Sequence, residues 1–174
     1  MPTDRREILA FVGIGLAAAV AGAVLGPLAL QSSSGASELL STVFPDLSGR
    51  PRRLREWSGN VVVCNFWATW CAPCREEIPL FITLYDRYRN RGLDIVGIGI
   101  DTLPNIVEFA SNLKITYPLL IGDARALDLM RSLGNEAGAL PYTVVLDRQG
   151  TVAHRKLGTF RSGEVDIILE PLLR

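Results

Sequence analysis

Hydrophobic residues follow two regimes along this chain. From Ile8 to Leu30 no charged or amide side chain interrupts the run, and a helix over it would have no polar face, unlike a helix of a soluble core. At 1.5 Å per residue such a helix spans roughly 35 Å, enough for a bilayer core of about 30 Å. Beyond Leu30 the apolar runs are short and separated by turn residues. Residues 61–67 read as a central strand, apolar on both faces except at Asn65. From about Cys74 to Arg89, residues Ile78, Phe81, Leu84 or Tyr85, and Tyr88 recur at helical spacing, which predicts a helix with one buried face, bent at Pro79. A second strand is expected over 95–100, a helix over 104–114, an extended piece over 117–121 and a helix over 124–133. Two further strands, 142–146 and 151–155, flank Asp147-Arg148-Gln149-Gly150, a turn with glycine where a positive φ is needed. Residues 164–173 close the chain as a helix. Strands alternating with helices before a final hairpin predict an α/β fold with a mixed sheet.

Charge changes this picture mainly at the front. Lys+Arg and Asp+Glu each number 18, and no concentrated basic surface of the kind nucleic acid requires is present. The local run Arg50, Arg52, Arg53 and Arg55 reads as a solvated face. Arg5 and Arg6 precede the long apolar run and the next basic residue is Arg50. By the positive-inside rule, residues 1–7 stay in the cytoplasm and everything after Leu30 is exported. The length of segment 8–30 favours a retained single-pass anchor in the inner membrane over a cleaved signal. Asp4-Arg5-Arg6-Glu7-Ile8-Leu9 is also similar to a twin-arginine export signal, which leaves cleavage as the alternative. Residues 31–43 then form a polar linker and 44–174 the folded domain. Outside the inner membrane disulfides form and persist.

The candidate chemistry lies in Trp70-Cys71-Ala72-Pro73-Cys74, where the first core strand gives way to a helix. Disulfide exchange needs one thiolate to attack and a second thiol close by to release the mixed disulfide. A C-x-x-C turn supplies both, and in a strand–helix context it reads as a redox dithiol. Cys71 would sit at the helix N-terminus, where unpaired N–H groups stabilise a thiolate, and Cys74 one turn in as resolving thiol. A structural zinc would need four ligands; the chain offers only Cys64 and His154 besides this pair. Cys64, mid-strand, reads as a buried structural thiol.

The segment Asn65-Phe66-Trp67-Ala68-Thr69-Trp70-Cys71-Ala72-Pro73-Cys74 resembles the active-site segment of the thioredoxin superfamily, in its membrane-anchored TlpA-like or ResA-like branch, over roughly residues 44–174. The resemblance implies a thioredoxin-like fold with an N-terminal hairpin before the first core strand and an enlarged region over about 101–134. It implies a cis proline at Pro141, with Leu140 pairing its backbone to an extended client chain, and Trp70 and Pro73 on the same client-binding surface. Glu77, three residues after Cys74, matches the family's proton acceptor for the resolving thiol, whereas plain thioredoxin's buried aspartate is Asn65 here. The implied activity is reduction of protein disulfides, with apocytochrome c or copper-site assembly proteins as clients and a membrane electron-transfer protein recharging the dithiol. No cofactor beyond the Cys71–Cys74 disulfide is expected. The alternative from another class is a thioredoxin-like copper chaperone using Cys71, Cys74 and His154; a peroxidase is a third and weaker reading.

Overall fold

The computed structural model describes residues 35–161 and 163–174. The expected cytoplasmic segment 1–7, the expected membrane anchor 8–30 and the start of the expected linker lie outside the described residues. Among the described residues no helix is long and apolar enough to cross a membrane.

Five strands make the central sheet: β3 (Val61–Trp67), β4 (Leu93–Gly99), β5 (Leu119–Ile121), β6 (Tyr142–Leu146) and β7 (Val152–Leu157). Their order is β5-β4-β3-β6-β7; β4 runs parallel to β3 and β5, while β6 is antiparallel to β3 and to β7. Strand β3 occupies the centre and every residue of it is buried, which is why its sequence shows no alternation. A small antiparallel hairpin, β1 (Val43–Pro45) with β2 (Pro51–Arg53), precedes it. The expected hairpin is therefore present, as is the mixed α/β sheet.

Period-2 alternation sends β3 side chains to two separate cores. Val61, Val63 and Trp67 face α1 (Ala72–Tyr88), α2 (Leu103–Leu113) and α4 (Glu164–Leu172). Val62, Cys64 and Phe66 face the other layer, built from α3 (Ala124–Ser132), the hairpin residue Phe44 and Leu39. Helix α1 buries Ile78, Phe81, Leu84 and Tyr88, the positions its spacing predicts, and continues through Pro79. The turn after β6 has Gly150 at φ 78°, with the Asp147 carboxylate accepting from the Gln149 and Thr151 amides.

The linker reading over 31–43 needs correction at its C-terminal part. Residues 35–41 are helical and residue 43 begins β1; Ala36 and Leu39 are buried, Leu39 at 0 % exposure. Leu39 fills the core beside Phe44 and Leu54, an apolar contact that outweighs the flexible composition of the serine-rich stretch before it. The arginines of the hairpin region are partly paired, Arg50 with Asp46 and Arg52 with Glu56.

Candidate functional site

The dithiol sits where β3 hands over to α1. Cys71 is the N-cap residue of α1 in extended conformation, Pro73 lies in the first turn, and the Cys71 sulfur accepts from the Cys74 amide at 3.3 Å. Proline is favoured there because its missing N–H would be unpaired in any case. The two cysteines are joined as a disulfide with Cα atoms 5.3 Å apart. Cys71 retains 6 % exposure and Cys74 none, so a partner reaches the Cys71 sulfur first. Once reduced, Cys71 lies against the helix N-terminal amides, a position that stabilises its thiolate.

Exposed apolar residues Trp70, Ala72 and Pro73 adjoin the disulfide. Trp70 is 69 % exposed, a large departure for a tryptophan in a folded domain. The Leu140–Pro141 peptide is cis, as the resemblance implied. Tyr142 pairs with Phe66, so Pro141 stands one residue further along, beside Trp67 at the sheet end that carries the dithiol. Leu140 is half-buried, Pro141 buried and Pro73 exposed.

Three residues after Cys74 on α1 lies a buried carboxyl. Glu77 is 2 % exposed, whereas its neighbour Glu76 faces solvent. Its Oε1 accepts from Asn65 Nδ2 at 2.8 Å and its Oε2 from the Phe160 amide at 3.0 Å. Burial pushes its pKa up to about 7, against the pull of the Phe160 amide, the Asn65 amide and the Lys156 charge, which favour the carboxylate. Asn65 Nδ2 also donates to Thr143 Oγ1 at 3.0 Å. Asn65 is opposite Thr143 and Thr143 opposite Lys156, so these three form one row across β3, β6 and β7 under α1.

Two braces around the site carried no sequence signal. The Thr69 hydroxyl donates to Asp101, whose other oxygen accepts from the Thr102 amide and from Asn105 Nδ2, both at 2.7 Å. This fixes the residues just before Cys71 to the end of β4. Asn135, 3 % exposed, donates to the Ala139 carbonyl at 2.8 Å and accepts from its amide at 3.2 Å, holding the loop that leads to Leu140. The Phe160 contact was equally invisible, because the donor is a backbone amide. Thr143 did leave a trace, as a polar residue inside an otherwise apolar strand.

Cys64 is fully buried on the opposite face of β3 and unpaired; burial pushes its thiol pKa up, an inert setting. His154 is half-buried on β7 with its ring 6.3 Å from that of Phe160. Among the described residues no three His, Cys, Asp or Glu side chains converge as a metal set, so the structure does not bring Cys71, Cys74 and His154 together as the copper-chaperone alternative requires.

Three parallel strands continued by an antiparallel pair, with a C-x-x-C disulfide at a helix N-terminus and a cis proline opening β6 at the same end of the sheet, define a protein of the thioredoxin superfamily. The sequence profile of the AhpC/TSA family matches residues 38–155, and the chain belongs to that family. It is 33 % identical over 131 residues to the thiol-disulfide oxidoreductase ResA of Geobacillus thermodenitrificans, covering 75 % of this chain and 73 % of that one. Among solved structures it resembles a secreted thiol-disulfide isomerase from Corynebacterium glutamicum, with 26 % identity, a TM-score of 0.69 and coverage of 76 % and 83 % of the two chains. A thioredoxin-family thiol:disulfide interchange protein from Chlorobium tepidum is 28 % identical with a TM-score of 0.66, covering 76 % and 93 %. The protein is thus a ResA-like thiol–disulfide oxidoreductase carrying a Cys71–Cys74 pair.

Proposed function

We propose that this oxidoreductase works on the outer face of a bacterial inner membrane, held there by residues 8–30, and reduces disulfides in client proteins. The observation that carries the mechanism is Glu77, a buried carboxyl three residues after Cys74 on the same helix, whose pKa burial pushes up to about 7. The reduced Cys71 thiolate attacks one sulfur of the client disulfide; the client S–S bond breaks, and its other sulfur leaves as a thiolate and takes a proton from solvent. Cys74 then gives its proton to Glu77 and attacks the Cys71 sulfur, so that the Cys71–Cys74 bond forms as the mixed disulfide breaks and the second client sulfur leaves as a thiolate, which also takes up a proton. Two electrons pass to the client, which departs as a dithiol. A base with a pKa near the working pH suits this step, because it is ionised often enough to accept and basic enough to pull. Trp70, Pro73, Leu140 and Pro141 form the surface on which the client chain lies, with the Leu140 backbone pairing to it as an added strand. The chemistry fits clients whose cysteines must be reduced before they take up a group, such as apocytochrome c or copper-site assembly proteins. A membrane electron-transfer protein with its own dithiol restores the reduced state.

Two measurements test this. Glu77→Gln is expected to slow disulfide exchange well below Glu76→Gln, which alters a neighbouring acid in solvent; equal rates for the two would overturn the role of Glu77. The reduction potential of the pair is expected near that of thioredoxin, about −270 mV, and a value near about −120 mV would make the protein a disulfide donor instead.

A further inference from the structure

Asn65 is a polar residue in the middle of a strand that is otherwise apolar and entirely buried. Such a placement is costly unless the amide is fully paired, and it is not. Its Nδ2 donates to both Glu77 and Thr143, while its Oδ1 is buried without a hydrogen-bond partner among the described residues. The groups facing Glu77 are the Asn65 amide from β3, the Phe160 amide after β7 and the Lys156 charge from β7; Glu77 in turn acts on the buried Tyr117 hydroxyl next to β5. The Asn65 and Phe160 amides offer hydrogens, and Lys156, whose ammonium pairs with Glu164, adds its positive charge, all of which suits a carboxylate. A carboxylic acid has a hydrogen of its own to place and needs an acceptor. Asn65 Oδ1 is such an acceptor, on a side chain already in contact with Glu77.

We propose that Asn65 is a positioning residue that keeps Glu77 paired in both of its protonation states. Nδ2 holds the carboxylate, and Oδ1 turns to accept from the carboxylic acid once Glu77 has taken the Cys74 proton. Thr143 accompanies the change, because its hydroxyl accepts from Nδ2 in the first arrangement and donates to Oδ1 in the second. No bond is made or broken at Asn65; one proton moves from Cys74 to Glu77 and the amide exchanges faces. An aspartate in this position would lack the donor when ionised and would set two carboxylates against each other. Leucine has the right size and neither donor nor acceptor.

This inference rests on the reading of Glu77 as the proton acceptor, and the experiment separates the two. The Glu77 carboxyl carbon and the Asn65 side-chain amide are followed by NMR from pH 5 to pH 9 in the full-length protein, alongside the pH profile of disulfide exchange. Asn65→Leu and Asn65→Asp are compared with the parent. Asn65→Asp removes the donor and keeps an acceptor, so it is expected to move the Glu77 midpoint upward, whereas Asn65→Leu removes donor and acceptor together and is expected to move it less. A displacement of about one unit would slow exchange roughly tenfold on the acid side of the profile and leave the alkaline plateau unchanged. In the parent, the Asn65 amide hydrogens are expected to lose their contact with Glu77 as the carboxyl takes up its proton. An unmoved Glu77 midpoint in Asn65→Asp, a midpoint displaced as far upward in Asn65→Leu as in Asn65→Asp, or amide hydrogens that keep the same neighbours across the titration, overturns the inference about Asn65. A displaced midpoint with an unaltered rate profile leaves Asn65 in place and overturns the role of Glu77. Should Asn65→Leu fail to fold, Asn65→Asp and the parent titration decide alone.

Discussion

The buried carboxyl makes a prediction about stability that is independent of any client. In an unfolded chain Glu77 titrates near 4.5, and in the folded protein burial moves it to about 7. Between these values the native state holds a proton that the unfolded chain has lost, so the unfolded state binds fewer protons and stability falls as pH rises. The favourable contribution is complete below about pH 4.5 and disappears as pH rises through about 7. At about 1.36 kcal/mol per unit the displacement corresponds to about 3 kcal/mol. That is a substantial part of the roughly 5–15 kcal/mol typical of a folded domain. Glu77→Gln keeps the shape and removes the titration. The assay is urea unfolding of parent and variant at several pH values from 5 to 8, with the Cys71–Cys74 bond kept oxidised in both. The parent is expected to lose about 3 kcal/mol more than the variant across this interval. All other titrating groups are common to the two proteins and cancel in the comparison. Parallel stability–pH curves would refute the argument, because they would mean that burial does not disfavour the Glu77 carboxylate.

Two further outcomes follow from the packing. Asn135→Ala removes both hydrogen bonds that tie residue 135 to Ala139 and leaves their backbone partners to be satisfied elsewhere, so urea unfolding should show a loss of about 1–3 kcal/mol. Stability equal to the parent's would mean that the loop before Leu140 is held by other contacts. Cys64→Ala, on the sheet face away from the dithiol, should leave the exchange rate within about twofold of the parent, since a buried thiol at high pKa takes no part in exchange. In the native parent only the reduced Cys71–Cys74 pair should react with a thiol reagent; labelling of Cys64 under native conditions would contradict its burial.

The local sequence determined the features that depend on neighbours along the chain. An uninterrupted apolar run places β3 in the centre of a sheet, and Cys71 with Pro73 fits a helix start because both satisfy the backbone needs of a first turn. Asp147 to Gly150 specifies a turn through an acceptor side chain and a residue free to take positive φ. The spacing of Ile78, Phe81 and Tyr88 identifies the buried face of α1, and Glu77 lies at its margin. Glu77 was singled out over the adjacent, chemically identical Glu76 by the resemblance; the local pattern by itself left open which of them lies over the sheet's polar row. That was decided by packing, since a helix turns about 100° per residue and only the helix's seating on β3 and β6 selects one of them. The partners of Glu77 come from far away in the chain: the Phe160 amide is 83 residues distant, and Asn65 finds Thr143 across 78 residues. A backbone amide has no side-chain signature, and strand register is a property of the assembled sheet. For the same reason the helical residues 35–41 read as linker, because their serine-rich approach is local and the core cavity that Leu39 fills is not.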